Sequence, residues 1–329
     1  MNIIISFAGL ESSRSSLPYP LRSLAGGTIL GYILTFLLDL PVDKLILIVS
    51  GGAAEVERWV RESAPDLKLQ IVLAEDAADP VTGLNQCRTL LDSAQLLFLS
   101  GNYIAEAAYL DLISPEFAAS CLMQGEHDTV PAEMLAVDGS GFIGAAGGEN
   151  RALWAGSCWF RNGTDLAKAL AVMDSKRSKG LGSLLSQLAD DGVTITTRQA
   201  GYCLDTLSNE SMLHANARLL RLDYGSQDAI ERSYAEDFTV LPPVFLHETA
   251  VIENSVIGPF VNLEANSAVR NSVVRNSLIG TGTQITNAVL DNSLIGDDVV
   301  ISGFNSTVIA ADGAIIDLSK ENSELKVET

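Results

Sequence analysis

Basic residues are scarce in this chain. Its 329 residues include 21 lysines and arginines against 41 aspartates and glutamates, a formal charge of −20 at pH 7. Neutralising a nucleic-acid backbone takes clustered Lys and Arg, so a nucleic-acid partner is excluded, and free nucleotides meet long-range repulsion. Cysteine is limited to Cys87, Cys121, Cys158 and Cys203, with no CxxC spacing. Reduced, partly buried thiols are therefore expected, not disulfides or a metal centre. No apolar run is long enough to span a bilayer: Thr28 to Leu40 is too short, and Pro41, Asp43 and Lys44 interrupt it before the next apolar residues. The opening MNIIISFAGL has neither a basic region nor a small-residue cleavage site behind a long apolar core. A cytoplasmic protein without membrane contact is expected.

What is present supports two folded domains. Hydrophobic residues make up 47% of the chain and charged residues 19%, enough to build sizeable cores over this length. Residues 1–240 alternate short β-rich runs with helical patterns. Strands are expected over Asn2 to Phe7, Lys44 to Ser50, Leu67 to Leu73 and Gln95 to Leu99. Helices are expected over Thr28 to Leu38, Ala54 to Ser63 and Gly83 to Asp92. Such alternation predicts an α/β domain with a doubly wound, mainly parallel, Rossmann-like sheet. Its ligand site lies beyond the carboxyl ends of the strands, in the loops after Phe7, Ser50, Leu73 and Leu99.

From residue 241 the period changes. Aliphatic residues recur every five or six positions and sort into three columns repeating every 16 or 17 residues. One column is Ile252, Val269, Ile285 and Ile301, a second Ile257, Val274 and Leu290, and a third Leu246, Leu263, Ile279 and Ile295. A coil with three flat sides, each turning one aliphatic side chain inward, is a left-handed parallel β-helix of hexapeptide-like repeats, expected over 241–318. Residues 319–329 read as a flexible acidic tail. The corners carry Asn254-Ser255, Asn271-Ser272, Asn276-Ser277, Asn287-Ala288 and Asn292-Ser293. Such prisms serve mostly as oligomerisation modules. An acyltransferase would need a histidine base, and only His247 lies near the repeats.

The loop after the first strand reads SFAGLESSRSSLPYPLRSLAGG over residues 6–27. Its tail, Pro20 to Gly26, resembles the P-L-L-P-L-A-G segment of the sugar-phosphate nucleotidyltransferases, which join a nucleoside triphosphate to a sugar 1-phosphate and release pyrophosphate. Other matches come in family order along the chain. Gly83-Leu84-Asn85-Gln86 resembles the G-L-A-Q turn that lies against the base, and Phe98 to Ile104 stands where the family has L-L-G-D-N-I. Leu153 to Ser157 is similar to the A-x-A-G-I strand that passes the sugar, and Gly201 to Thr206 resembles G-Y-W-x-D-x-G-T. The tail Val308 to Ala314 is similar to the end of the long, glucose-1-phosphate thymidylyltransferase-like members, which carry a C-terminal left-handed β-helix, and the order and spacing of the matches make the family resemblance specific.

The resemblance implies Mg2+, cations and backbone N–H groups to bear the charge of nucleotidyl transfer. Several of these groups are replaced. In the family pattern G-x-G-T-R-L, Gly9 matches the first glycine, but the second is Glu11, the threonine is Ser12, and the arginine position is Ser13, with Arg14 one place late. A carboxylate about 4 Å from a phosphate costs roughly 4 kcal/mol at an effective dielectric near 20. Tyr19 stands at the lysine position, and Asn102 at one of two metal aspartates; Asp205 survives as the other. Residues 145–151 lack the lysine expected to hold the sugar phosphate. The matched framework, Gly9, Ser12, Arg14, Gly83, Gln86, Gly101 and Gly156, is the set of candidate nucleotide- or sugar-binding residues, with Asp205 the candidate metal ligand. Asp205 reads equally as a cap for a helix starting near Asn209, Asn102 as a turn residue, and Arg14 or Arg22 as a displaced cation.

Three readings stay open. The favoured one is an inactive or weakly active relative that binds a sugar nucleotide or regulates an active paralogue through its β-helix, as a homo-oligomer or in a mixed complex. The second is an active enzyme with a rearranged site that uses Mg2+. The third is a structural oligomer without ligand.

Overall fold

The computed structural model describes residues 1–10, 17–74, 80–91, 94–106, 109–124, 134–138, 140–143, 151–172, 181–222, 224, 238–303 and 305–317. Residues 319–329, expected as a tail, lie outside the described residues. The chain forms two compact units. One comprises Met1–Glu11, Pro18–Leu21 and Ile29–Asp205, and the other Ser12–Leu17, Arg22–Thr28 and Thr206–Thr329. Among the described residues, no helix is long and apolar enough to cross a membrane.

In the first unit, runs such as Ile3-Ile4-Ile5 and Leu45 to Val49 are apolar at every position, as strands covered on both faces must be. They form an eight-stranded sheet. Its order is Ile195–Gln199, Ala119–Met123, Arg151–Phe160, Leu96–Ser100, Asn2–Ser6, Lys44–Val49 and Leu69–Leu73, with Met134–Ala136 paired to Arg151–Phe160. The central strand Asn2–Ser6 is parallel to both neighbours. The long strand Arg151–Phe160 opposes its partners while the remaining pairs run parallel, so the sheet is mixed but mainly parallel. A separate antiparallel pair joins Tyr103–Glu106 to Tyr202–Asp205. Ile29–Thr35, Ala53–Ser63 and Pro80–Gln86 are helical. Most boundaries differ from expectation by one or more residues, and two of the differences have a plain cause. Thr28 pairs with Ser23 in a two-residue strand and so cannot start the first helix. The third helix starts at Pro80, where a missing N–H costs nothing, and gives way to a 3-10 turn over Arg88–Leu90.

In the second unit, three sheets of five parallel strands form the left-handed β-helix. The registers reproduce the aliphatic columns: Ile252 pairs with Val269, Val269 with Ile285 and Ile285 with Ile301. Ile257, Val274 and Leu290 stack likewise, as do Leu246, Leu263, Ile279 and Ile295. The corner asparagines have a structural reason. Asn254, Asn271, Asn276, Asn287 and Asn292 all hold φ between 44° and 55°, a left-handed conformation that asparagine tolerates best among residues with a side chain. The serines that come next bond adjacent coils together. Ser272 N–H donates to Ser255 Oγ at 3.0 Å and Ala288 N–H to Ser272 Oγ at 3.0 Å; on another corner, Ser293 N–H donates to Ser277 Oγ at 3.1 Å.

A hairpin from the N-terminal part of the chain belongs to this unit. Ala25 N–H donates to Asn216 Oδ1 at 3.0 Å, Gly26 N–H to Asn262 Oδ1 at 2.8 Å, and Ser23 Oγ to Glu264 Oε1. A Cβ on Gly26 would lie 2.4 Å from the Phe245 ring, so the close approach requires glycine.

At another corner, Asp297 accepts from Thr281 N–H at 2.8 Å. Burial raises its pKa above the ordinary carboxylate value, and the charges of Asp312, Asp298 and Glu264 add to the rise, against the opposing Thr281 bond. The folded chain thus holds this proton more tightly than the unfolded chain, and stability falls as pH rises above the ordinary carboxylate value of about 4. Asp297→Asn keeps an oxygen for Thr281 and removes the charge. Its Tm is expected to exceed that of the wild type at pH 7 to 8, with the difference gone near pH 3.5; a lower Tm at pH 8 would overturn this account.

Candidate functional site

The carboxyl ends of the central strands bring the first group of candidate residues together. Ser6 and Ser100 are register partners, and Gly101 N–H donates to Ser6 O at 2.8 Å. Here the chain packs on itself. A Cβ on Gly101 would lie 2.3 Å from the Phe7 ring, and one on Gly83 would lie 2.5 Å from Ala8 Cβ. Both glycines therefore have packing reasons to be glycine. Tyr19, at the position of the expected lysine, is 1% exposed, with its ring 6.3 Å from that of Phe7. Gly52, which precedes helix Ala53–Ser63, leaves room for Pro18, whose Cγ would be 2.1 Å from an added Cβ.

At the mouth of the loop, Gly9 is exposed with φ 72°, and its N–H donates to Ser50 Oγ at 3.0 Å. Glu11, Ser12, Ser13 and Arg14 lie outside the described residues, as does the segment 145–150. Arg22 is half-buried at the start of the hairpin of the second unit, and Gln86 is exposed at the end of its short helix.

The two positions matching metal aspartates do meet, but in hydrogen-bonded form. Asn102 and Asp205 are 6% and 5% exposed, and Asn102 Nδ2 donates to Asp205 Oδ1 at 2.9 Å. Ser100 Oγ donates to Asn102 Oδ1 at 2.7 Å. Both ends of the amide are engaged, which fixes its orientation, since a flip would set two oxygens face to face. Mg2+ requires oxygen ligands in near-octahedral array. Here an N–H faces the surviving carboxylate where a second carboxylate would be needed, so these residues do not fit that ion. Among the described residues, no group of three or more His, Cys, Asp and Glu is placed to hold a metal. Asp205 does not cap the next helix: Asn209–Arg221 is capped by Ser208, whose Oγ accepts from Ser211 N–H at 3.0 Å.

Beside this pair lie Gly156, already a candidate from the sequence, and Tyr109, which sequence reasoning missed. Gly156 holds φ 75°, and a Cβ there would lie 2.3 Å from Tyr103, the register partner of Asp205. Tyr109 approaches Ser157 Oγ at 3.4 Å, and burial pushes its pKa far above the ordinary phenol value, so its hydroxyl stays neutral. Farther along the sheet, Gln124 comes directly after strand Ala119–Met123 and is 7% exposed. Its Oε1 is buried without a partner among the described residues, as is Asn85 Oδ1. Gln124 did not stand out in the sequence, where Asn85 stood only within the Gly83 to Gln86 match, because an amide's satisfaction depends on neighbours remote along the chain.

No family model matches the sequence, and no curated protein matches it as a relative. Solved structures do share its fold. The structure of HddC from Yersinia pseudotuberculosis complexed with GMP-PN is similar with a TM-score of 0.51 at 16% identity, covering 66% of this chain and 99% of that one. A second structure of HddC from Yersinia pseudotuberculosis matches with the same coverage and TM-score at 15% identity. At these identities the likeness is one of fold.

Proposed function

We propose that this protein has the nucleotidyltransferase fold, has kept recognition of a sugar nucleotide or sugar phosphate, and does not transfer a nucleotidyl group. The observation that carries the reading is the Asn102–Asp205 hydrogen bond, which engages one oxygen of the surviving carboxylate and sets an N–H where a second carboxylate would be needed. The buried Tyr19 in place of a cation points the same way. Fold likeness to a protein solved with GMP-PN supports a nucleotide-type ligand. On this reading the chain acts as a ligand-responsive or regulatory relative of active enzymes. Its β-helix, where Val251, Val289, Val300, Ile309 and Ile315 are exposed, is the part through which it self-associates or joins an active paralogue.

The test is thermal shift with nucleoside triphosphates, NDP-hexoses and hexose 1-phosphates, each with and without Mg2+. A ligand that binds only the folded state at 100 times its Kd adds about 2.7 kcal/mol of apparent stability. The expected result is a rise in Tm with an NDP-hexose or hexose 1-phosphate that Mg2+ does not enlarge. No shift with any compound would sink the binding reading and favour a purely structural protein.

A further inference from the structure

We propose that Gln124 is a specificity residue whose Oε1 accepts a hydrogen bond from a hydroxyl of the bound sugar; this rests on the sugar-phosphate or sugar-nucleotide reading above. The chain at Gln124 is held by two backbone hydrogen bonds. Gln124 N–H donates to Leu153 O at 2.8 Å, and on the other side Ala200 N–H donates to Met123 O at 2.9 Å. The residue is thus anchored on both sides at the carboxyl end of strand Ala119–Met123, the end of the sheet that also carries Gly101 and Asn102.

Its side chain is oriented but incompletely satisfied. Nε2 points to Trp154 O at 3.4 Å, a long contact, and Oε1 is buried with no partner among the described residues. Trp154 O can only accept, so turning the amide over would set oxygen against oxygen and leave the N–H₂ group unpaired. The free acceptor is therefore the oxygen. A buried acceptor without a donor is costly, and native proteins rarely keep one without cause.

Trp159 is a different case. Its Nε1 also lacks a partner among the described residues. But Trp159 is wholly buried in mid-strand, paired with Leu97 and Ser120, where no ligand reaches. Gln124 instead ends its strand next to Trp154, two residues from Gly156, whose missing Cβ brings the chain against Tyr103. A neutral amide oxygen suits an uncharged donor such as a sugar hydroxyl. It offers nothing to a phosphate, which has only acceptors.

Gln124→Leu removes the acceptor at similar volume, and Gln124→Met is the companion should the first variant fold poorly. The probes are glucose, mannose and galactose 1-phosphates, their UDP and GDP derivatives, and single-position deoxy analogues of the tightest binder, titrated by calorimetry. Both variants are expected to bind that sugar about tenfold more weakly than the wild type, the scale of one lost hydrogen bond to a buried group. One deoxy analogue should bind the wild type equally weakly and lose nothing further in the variants. Unchanged affinity in both variants overturns this proposal and leaves the binding function standing. Failure of the wild type to bind any probe overturns both.

Discussion

Asn102→Asp is expected to destabilise the protein by about 4 kcal/mol at pH 7, the repulsion of two carboxylates some 4 Å apart at an effective dielectric near 20. The substitution is nearly isosteric, so the effect is electrostatic. In the wild type, the Asn102 amide gives Asp205 a hydrogen bond at 2.9 Å; in the variant that donor becomes a second anion at a site about 5% exposed. Repulsion raises the introduced carboxyl above its ordinary value, so the folded variant holds a proton that the unfolded chain releases. Stability is lost as pH rises above about 4 and regained as it falls. Mg2+ in the millimolar range is expected to raise the variant's Tm at pH 7 and to leave the wild type unmoved, because only the variant presents two carboxylates. Urea melts at pH 5 and pH 7 with and without Mg2+ read all four conditions. A variant as stable as the wild type at pH 7, or a wild type stabilised by Mg2+, would contradict this picture of the site.

Gly156→Ala is expected to cost about 3 kcal/mol, the sum of two effects. The left-handed backbone at φ 75° penalises any Cβ by roughly 1–2 kcal/mol. The new methyl also falls 2.3 Å from the Tyr103 ring, and displacing a packed side chain adds about 1–3 kcal/mol. Gly192 separates the two effects. It holds φ 85° with nothing within 4 Å of its would-be Cβ, so Gly192→Ala carries the backbone term alone. The urea midpoints of the two alanine variants should therefore differ by the Tyr103 overlap. Equal midpoints would show that Tyr103 yields freely and that Gly156 is not a packing position.

The β-helix was the most legible part of the sequence. Each coil buries one aliphatic residue per side, so the columns headed by Leu246, Ile252 and Ile257 survive in sequence as a spacing of 16 or 17, and the registers keep that spacing. The strands Asn2–Ser6 and Lys44–Val49 were equally plain, because burial on both faces makes every position apolar. The features that stayed hidden depend on distant partners. The hairpin Arg22–Thr28 packs with Asn216 and Asn262, residues 191 and 236 positions away from their partners, and short polar segments carry no mark of such pairing. Arg151–Phe160 reverses direction within a mainly parallel sheet, which composition does not encode.

At the site, the positions were legible and their state was not. Sequence placed Asn102 and Asp205 in one constellation, but the amide orientation that makes them a hydrogen-bonded pair depends on Ser100 and Asp205 meeting Asn102 in the fold. Tyr19 could be read as a missing cation. That it is buried against Phe7 is a packing fact, set by the small Gly101 beneath the same ring.

Pyrophosphate release separates a sheet-end site that does not support metal-assisted nucleotidyl transfer, as proposed, from one that does. The wild-type protein would be incubated with Mg2+, each nucleoside triphosphate and each hexose 1-phosphate in turn. No release above the protein-free control is expected in any combination. Steady release that Asp205→Ala abolishes would show an active, rearranged nucleotidyltransferase site instead.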